Sequence, residues 1–512
     1  MEKFLSQYSE QIVGTVSCFD RIMFKGYLPL GWPAAMEGFM TRQGCLIKNF
    51  KSFVTTQSKQ IEQHAQAVAE RKQRPSLYLT GRQRKEDLAR QIAEQDGIEQ
   101  GLICVLRAVE PCQSFKMVHG TGRPRLVNAP RKCLCFYYYV MDREFGLMYV
   151  RIQAWFPLVI QIGLNGHEWL AKKMDQHGIA YRKLDNAFAW IDDCPRAQKF
   201  ADRFAKKNWP RILSAFAARV NPLLKGLLAG QDYYWVMDQA EYATDVMFES
   251  AAALKGPYEE FLRYATLCLG AEDVLTFLGR KLTGHFQGEV LTDSKKKRVP
   301  GARVKHRMKE NMIKMYDKFG CVLRVETVIN NPREFKVRRQ GKRNGELVVD
   351  WFPMAKGVAH MPRYLEVSLR ANRRYLEALA NVPQPGKSRT SLRRLAQPVR
   401  HNRRSYRGLN PARQDDVELM SAVLRGEHVL RGFTNADVRQ QLIPSAAGDR
   451  ALRRASQKTG RLLKLLHVHG LIARIPRSRR WRVTREGWSV MATILNYHHV
   501  EYPDLHRVLQ AA

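Results

Sequence analysis

Along residues 11–30 apolar and polar positions alternate around Cys18, Phe19, Asp20 and Arg21, and this pattern predicts strand. Helical spacing follows over 58–71 and 82–95, and β-rich runs return at 101–109 and 133–140. The stretch CFYYYVMDREFGLMYVRI predicts a hairpin, two β-rich arms joined by the polar turn 142–146. Another strand over 159–164 runs into Asn165-Gly166, and a helix over 167–177 follows, with His167 and Glu168 as its first residues. From 195 to 278 the pattern predicts mostly helix, including 196–207 and 238–250. Strands followed by helices in this order indicate an α+β (mixed α/β) multidomain protein rather than a helical bundle.

Near the end the periodicity is most explicit. Val417, Leu419, Met420, Val423 and Leu424 recur at helical spacing, Gly432-Phe433 breaks the pattern, and Thr434 is an N-cap for a second short helix through Val438 and Leu442. A third helix, 450–469, has an apolar side of Leu452, Ala455, Leu462, Leu463, Leu465 and Leu466 and a basic side of Arg453, Arg454, Lys458, Arg461 and Lys464. Gly470 stops it, and the period then becomes alternating: 471–475 and 481–484 read as short strands around a basic tip. The string LLKLLHVHGLIARIPRSRRWRVTREG resembles the recognition helix, strand, wing and strand of winged-helix regulators over about 415–495. That resemblance implies a helix in the major groove and Arg474, Arg477, Arg479, Arg480, Arg482 and Arg485 near the flanking backbone.

Composition points the same way. The chain has 85 Lys+Arg against 48 Asp+Glu, a formal charge of +37, and a phosphate-rich polymer is the natural partner of such a chain. DNA is the expected ligand and RNA the alternative. No apolar run reaches the roughly 20 residues that span a bilayer, so no membrane partner is expected. No signal peptide is recognised, and nine scattered cysteines without a CxxC fit reduced thiols in a cytoplasm, bacterial and nucleoid-associated. Residues 382–414 carry no acid and many arginines, Arg403 and Arg404 among them, and read as a basic tether that adds phosphate affinity. With a second boundary near 292–301, the expected domains are a mixed α/β body over 1–291, a basic hairpin region over 292–381, the linker over 382–414 and the winged helix over 415–512.

Chemistry is expected in 303–339. Strand residues Ile313, Met315 and Tyr316 lead to a turn over 317–320, and the return strand over 322–329 presents Arg324 and Glu326 on one face. A tyrosine, a cation and a carboxylate together suit DNA nicking: the phenolate attacks phosphorus, a carboxylate-held divalent ion withdraws charge, and the cation stabilises the transition state. The pattern Tyr316-Asp317-Lys318 followed by Leu323-Arg324-Val325-Glu326 is similar to the Y-[DN]-K and R-x-E signature of rolling-circle replication initiators and relaxases. The resemblance implies Tyr316 as nucleophile, with Lys318 and Arg324 beside it and Glu326 and Asp317 near a Mg²⁺ or Mn²⁺ ion. The His-hydrophobe-His metal motif usual in relaxases is absent.

A second arrangement would put the chain among RNase H-like nucleases and transposases, with Asp20 on a first strand and Asp142, Glu144 or Glu326 completing a two-metal cluster. Phosphate-loop motifs GxxxxGK[ST] and GxGxxG are absent, so no nucleotide cofactor is expected. The whole chain also resembles bacterial mobile-element-type proteins, without an established activity, that combine a C-F-D-R start, a Y-D-K and R-x-E centre and a terminal winged helix. The functional expectation is a nucleic-acid-binding protein of a mobile element or replicon. Nicking or strand transfer through a tyrosine leads, with a metal-dependent nuclease or transposase and a non-catalytic DNA regulator or RNA binder as alternatives.

Overall fold

The computed structural model describes all residues except 82, 120–122, 268, 281–289, 296–302, 381, 383–393, 403, 411–412, 426–427, 429–431, 445–447, 477 and 497–512. The chain is a mixed α+β multidomain protein. It folds into two compact units that interleave in sequence. One joins Met1–Val13, Phe248–Val325 and Arg370–Ala512, and the other joins Gly14–Met247 and Glu326–Leu369.

The strands in chain order are β1 (Ile12–Tyr27), β2 (Ser76–Tyr78), β3 (Gly101–Val118), β4 (Arg125–Asp142), β5 (Gly146–Gln153) and β6 (Ile160–Asn165). There follow β7 (Tyr181–Leu184), β8 (Ala187–Ile191), β9 (Tyr234–Phe248), β10 (Val290–Lys295), β11 (Arg303–Met308), β12 (Asn311–Lys318) and β13 (Val322–Ile329). Last come β14 (Lys336–Arg343), β15 (Glu346–Pro353), β16 (Val399–His401), β17 (Arg404–Tyr406), β18 (Ile472–Arg474) and β19 (Trp481–Val483).

In the Gly14–Met247 unit the sheet order is β13-β9-β1-β6-β5-β4-β3-β2. Strands β1, β6, β5, β4 and β3 are successive antiparallel neighbours, and β2 adds to β3 in parallel. The hairpin expected at 142–146 is β4 to β5, with Asp142 opposite Gly146. Only residues 326–329 of β13 belong to this unit. The helix Lys85–Gln95 buries Ala89 and Ala93 against Ile103, Leu106 and Tyr139.

One expectation fails here. Residues 238–250 are not helical, since β9 runs through Phe248. Alanine, glutamate and methionine are helix formers, but β9 lies between β13 and β1 with seven consecutive buried residues at its end. A strand covered on both faces loses the two-residue alternation that betrays a strand in sequence.

In the other unit β10, β11 and β12 are antiparallel, and the turn at the end of β12 has Phe319 and Gly320 at φ 58° and 78°, as expected for 317–320. His306 on β11 is fully buried, its Nδ1 2.9 Å from Thr292 Oγ1 and its Nε2 3.0 Å from Tyr375 Oη. Burial lowers its pKa to about 4. The unfolded chain takes up this proton near pH 6.5, so stability is complete above that pH and declines as pH falls toward 4, by about 3 kcal/mol in all. His306→Gln should flatten the dependence of melting temperature on pH between 6.5 and 4, and an unchanged slope would show that His306 is not the sensor.

The C-terminal module of this unit has helices Gln414–Val423, Asn435–Leu442 and Asp449–Val468, the hairpin β18 to β19, and a helix Arg485–Asn496. Three helices, a hairpin and a further helix thus follow one another in chain order. Thr434 caps the second helix reciprocally with Asp437: Thr434 Oγ1 accepts from Asp437 N at 3.3 Å, and Asp437 Oδ2 accepts from Thr434 N at 2.7 Å. Gly470 ends the third helix at φ 75°. Ala455, Leu463, Leu465 and Leu466 are buried as expected, but Leu452 is exposed, because it lies in the first turn ahead of the packed part of the helix. The described part of 382–414 joins the module: β17 pairs with β16, Leu395 and Leu409 enter its core, and Arg407 forks onto Asp416 at 2.8 and 2.5 Å.

Candidate metal centre

Strand β1 brings Asp20 to the middle of the sheet, β9 brings Glu241 and β13 brings Glu326. Strand β9 lies between β1 and β13, each step about 4.8 Å, so Glu241 stands on the strand between those of Asp20 and Glu326. One carboxylate oxygen from each lies within 4.8 Å of the other two, with Asp20 and Glu326 buried and Glu241 half-buried. At that separation two ionised carboxylates repel by about 3–4 kcal/mol even with an effective dielectric near 20, so three together call for compensating positive charge.

Part of it comes from the chain. Loss of solvent pulls the Arg21 pKa down, and the carboxylates of Glu241, Glu86, Asp20 and Glu326, in decreasing order, together hold it above the ordinary arginine value. Asp20 is gripped by two amides: Asn186 Nδ2 donates to both oxygens, at 3.0 and 2.9 Å, and Asn165 Nδ2 donates to Oδ1 at 2.9 Å. His167 is wholly buried between two acids, Nδ1 3.3 Å from Asp20 Oδ1 and Nε2 3.4 Å from Asp245 Oδ2. Asn165 also caps the helix Gly166–Gln176 by accepting from His167 N at 2.7 Å, which orders the turn that presents His167. Asp20 is thus held by Asn186, Asn165 and His167. Orientation of a ligand by outer hydrogen bonds is how metal sites fix their geometry.

An open concavity is lined by Arg21 and by Asn165, the residue that donates to Asp20. Its other walls include Tyr139 and Tyr149, whose rings are 5.6 Å apart, and Arg90. The Tyr149 ring packs on Gly163, where any Cβ would come 2.2 Å from it. Oxygen donors of this kind suit Mg²⁺ or Mn²⁺.

The residues named from sequence divide. Asp20 and Glu326 meet, whereas Glu241, Asp245, Asn165 and Asn186 are partners that sequence reasoning missed. Glu241 and Asp245 lie in the segment whose composition predicts helix, and His167 reads from sequence only as the start of a helix. Asp142 is not in the cluster: its Oδ1 accepts from Glu144 N at 2.8 Å and Phe145 N at 3.1 Å, the work of a turn residue. Glu144 pairs with Lys207 across 2.5 Å.

Tyr316, Asp317, Lys318 and Arg324 belong to the other unit, and Asp317 is not among the clustered carboxylates. Tyr316 is half-buried near the end of β12 opposite Arg303, and Lys318 Nζ sits 5.2 Å from the Phe319 ring. Burial pushes the Asp317 carboxyl up to about 6, against a lowering hydrogen bond from the Gly320 amide. Arg324 is completely buried.

On the C-terminal module Arg453, Arg454, Lys458 and Arg461 are exposed on the third helix and Lys464 is half-buried. Arg479, Arg480 and Arg482 are exposed on the hairpin, where Arg480 Nη1 also donates to Gly432 O at 3.0 Å, and Arg404 is exposed on β17. Arg403 and Arg477 lie outside the described residues.

Among the described residues no helix is long and apolar enough to cross a membrane. No protein-family model matches the chain, and comparison with curated proteins and with solved structures finds no match.

Proposed function

We propose that this protein binds nucleic acid and cleaves or transfers its strands with a divalent cation, Mg²⁺ or Mn²⁺, held by Asp20, Glu241 and Glu326. The convergence of these three carboxylates from adjacent strands carries the reading. Asp20, Glu241 and Glu326 would hold the ion, which would supply Lewis-acid chemistry at a scissile phosphate, and Arg21 would offset negative charge on the phosphate oxygens. Nucleic acid as substrate is supported by the +37 charge and by the basic face of the C-terminal module.

The test is cleavage of single-stranded DNA, duplex DNA and structured RNA by the full chain with Mg²⁺, Mn²⁺ or chelator. Asp20→Asn should abolish product, and Tyr316→Phe should leave it unchanged with no detergent-resistant adduct. An adduct that forms with Asp20→Asn and vanishes with Tyr316→Phe would replace the hydrolytic reading by tyrosine nicking.

Binding is tested separately. Reversing charge at Arg461 and Lys464 should weaken duplex affinity in a gel-shift titration. Arg479→Gln with Arg480→Gln should instead lower affinity evenly across sequences and reduce the salt slope by about 0.9 for each phosphate that is no longer neutralised. Affinity unmoved by all four changes would remove the module from the interface.

A further inference from the structure

Strands β14 and β15 form a two-stranded sheet of their own, turning at Asn344-Gly345 with φ 52° and 90°, the positive values that a two-residue hairpin turn requires. Its burial alternates with period two, and the two faces differ in kind. On one face Val337 is buried, and Arg343 pairs with Asp350 at 2.5 Å. The other face is exposed along its whole length, and there apolar residues stand opposite polar ones: Arg338 faces Trp351, Gln340 faces Val349 and Lys342 faces Leu347.

Leu347, Val349 and Trp351 are 65%, 61% and 58% exposed. Three large apolar side chains in a row on an exposed face that also carries cations form the kind of patch that marks an interaction surface. The charge on this face selects the cover: it carries cations and no carboxylate, since Glu346 and Asp350 alternate onto the opposite face. Eight residue pairs extend about 27 Å, and a two-stranded ribbon is narrow enough for a major groove about 12 Å wide.

We propose that this face of β14 and β15 is a nucleic-acid contact that lies in a duplex groove, with Arg338 and Lys342 against backbone phosphates and Gln340, Trp351 and Val349 toward base edges. Gln340 at the centre supplies both a donor and acceptors, which base edges satisfy and a lipid interior does not. Like cations on the face oppose self-association through it. The proposal rests on the reading of the protein as a nucleic-acid binder and adds a second interface remote in sequence from the C-terminal module.

The experiment measures affinity and salt dependence of the full chain for labelled duplex DNA, an RNA–DNA hybrid and double-stranded RNA. Arg338→Gln with Lys342→Gln should cost about tenfold in affinity and reduce the salt slope by about 2, one phosphate for each cation. Trp351→Ala should cost a similar factor, and Trp351→Phe should restore most of it. Melting temperature and Mn²⁺ affinity should not move, because these side chains are exposed and no cluster ligand is altered. Unchanged affinity and slope in these variants, with the wild type binding tightly, overturn the ribbon interface alone. A wild type that binds none of the three duplexes overturns the nucleic-acid reading itself. Retention on phosphatidylserine vesicles that Trp351→Ala abolishes, with duplex affinity intact, also overturns the proposal and assigns the face to a membrane surface.

Discussion

If the three carboxylates hold Mn²⁺ as proposed, the ion should raise the melting temperature of the wild-type protein, and Asp20→Asn should eliminate that rise. A ligand that binds only the folded state stabilises it by about 2.7 kcal/mol at a hundred times its dissociation constant, which raises the melting temperature by roughly 5–10 °C for a body of this size. Asparagine has the shape of aspartate but not its charge, so the variant keeps the packing around β1 while one of three anionic ligands is removed. Metal-dependent cleavage should fall on the order of 10³-fold, the scale of removing a major electrostatic interaction with the transition state. Glu326→Gln and Glu241→Gln should behave alike, Glu241→Gln the more mildly because Glu241 is half-buried and remains open to water. An equal Mn²⁺ shift in wild type and Asp20→Asn would mean that the ion binds elsewhere, and the three carboxylates would then be a structural cluster.

Gly166→Ala should be the most damaging single-methyl change near the site. A Cβ at this position would lie 2.1 Å from the carbonyl oxygen of Phe19 and 2.9 Å from its carbonyl carbon. The obstacle is backbone in a central strand, which cannot step aside as a flexible side chain can. Overpacking of this kind costs about 1–3 kcal/mol and sometimes more. Asn165 and His167, on either side, both approach Asp20, so the displacement should weaken metal binding together with stability. Gly31→Ala is the control, since nothing lies within 4 Å of its added methyl. Thermal unfolding and Mn²⁺ titration of both variants check this, and a Gly166→Ala protein that melts and binds metal like wild type would show that the strand and helix are not so closely apposed.

Two of the three clustered carboxylates are legible in the chain. Asp20 stands out as a lone acid in a strand-like context, and Glu326 is marked by its place two residues after Arg324 on a strand. Glu241 is not, because β9 is covered on both faces and its helix-forming composition then outweighs any alternation. Asp142 fits the sequence pattern but not the site, because an acid in a tight hairpin serves the turn's own amide groups first. Asn165, Asn186 and His167 meet Asp20 across sequence separations that no local pattern encodes.

The C-terminal module lies at the other extreme. Its caps, its glycine stop and its change of period are signals between residues a few positions apart, and local hydrogen-bonding and backbone preferences determine them without help from the rest of the chain. The mixed α+β class and the basic charge were determined in the same local or additive way. The order of strands in the sheet was decided only by tertiary structure, and with it the meeting of Asp20, Glu241 and Glu326. A carboxylate acquires its role from the charges within a few ångströms of it, and strand pairing, not distance along the chain, sets which charges those are.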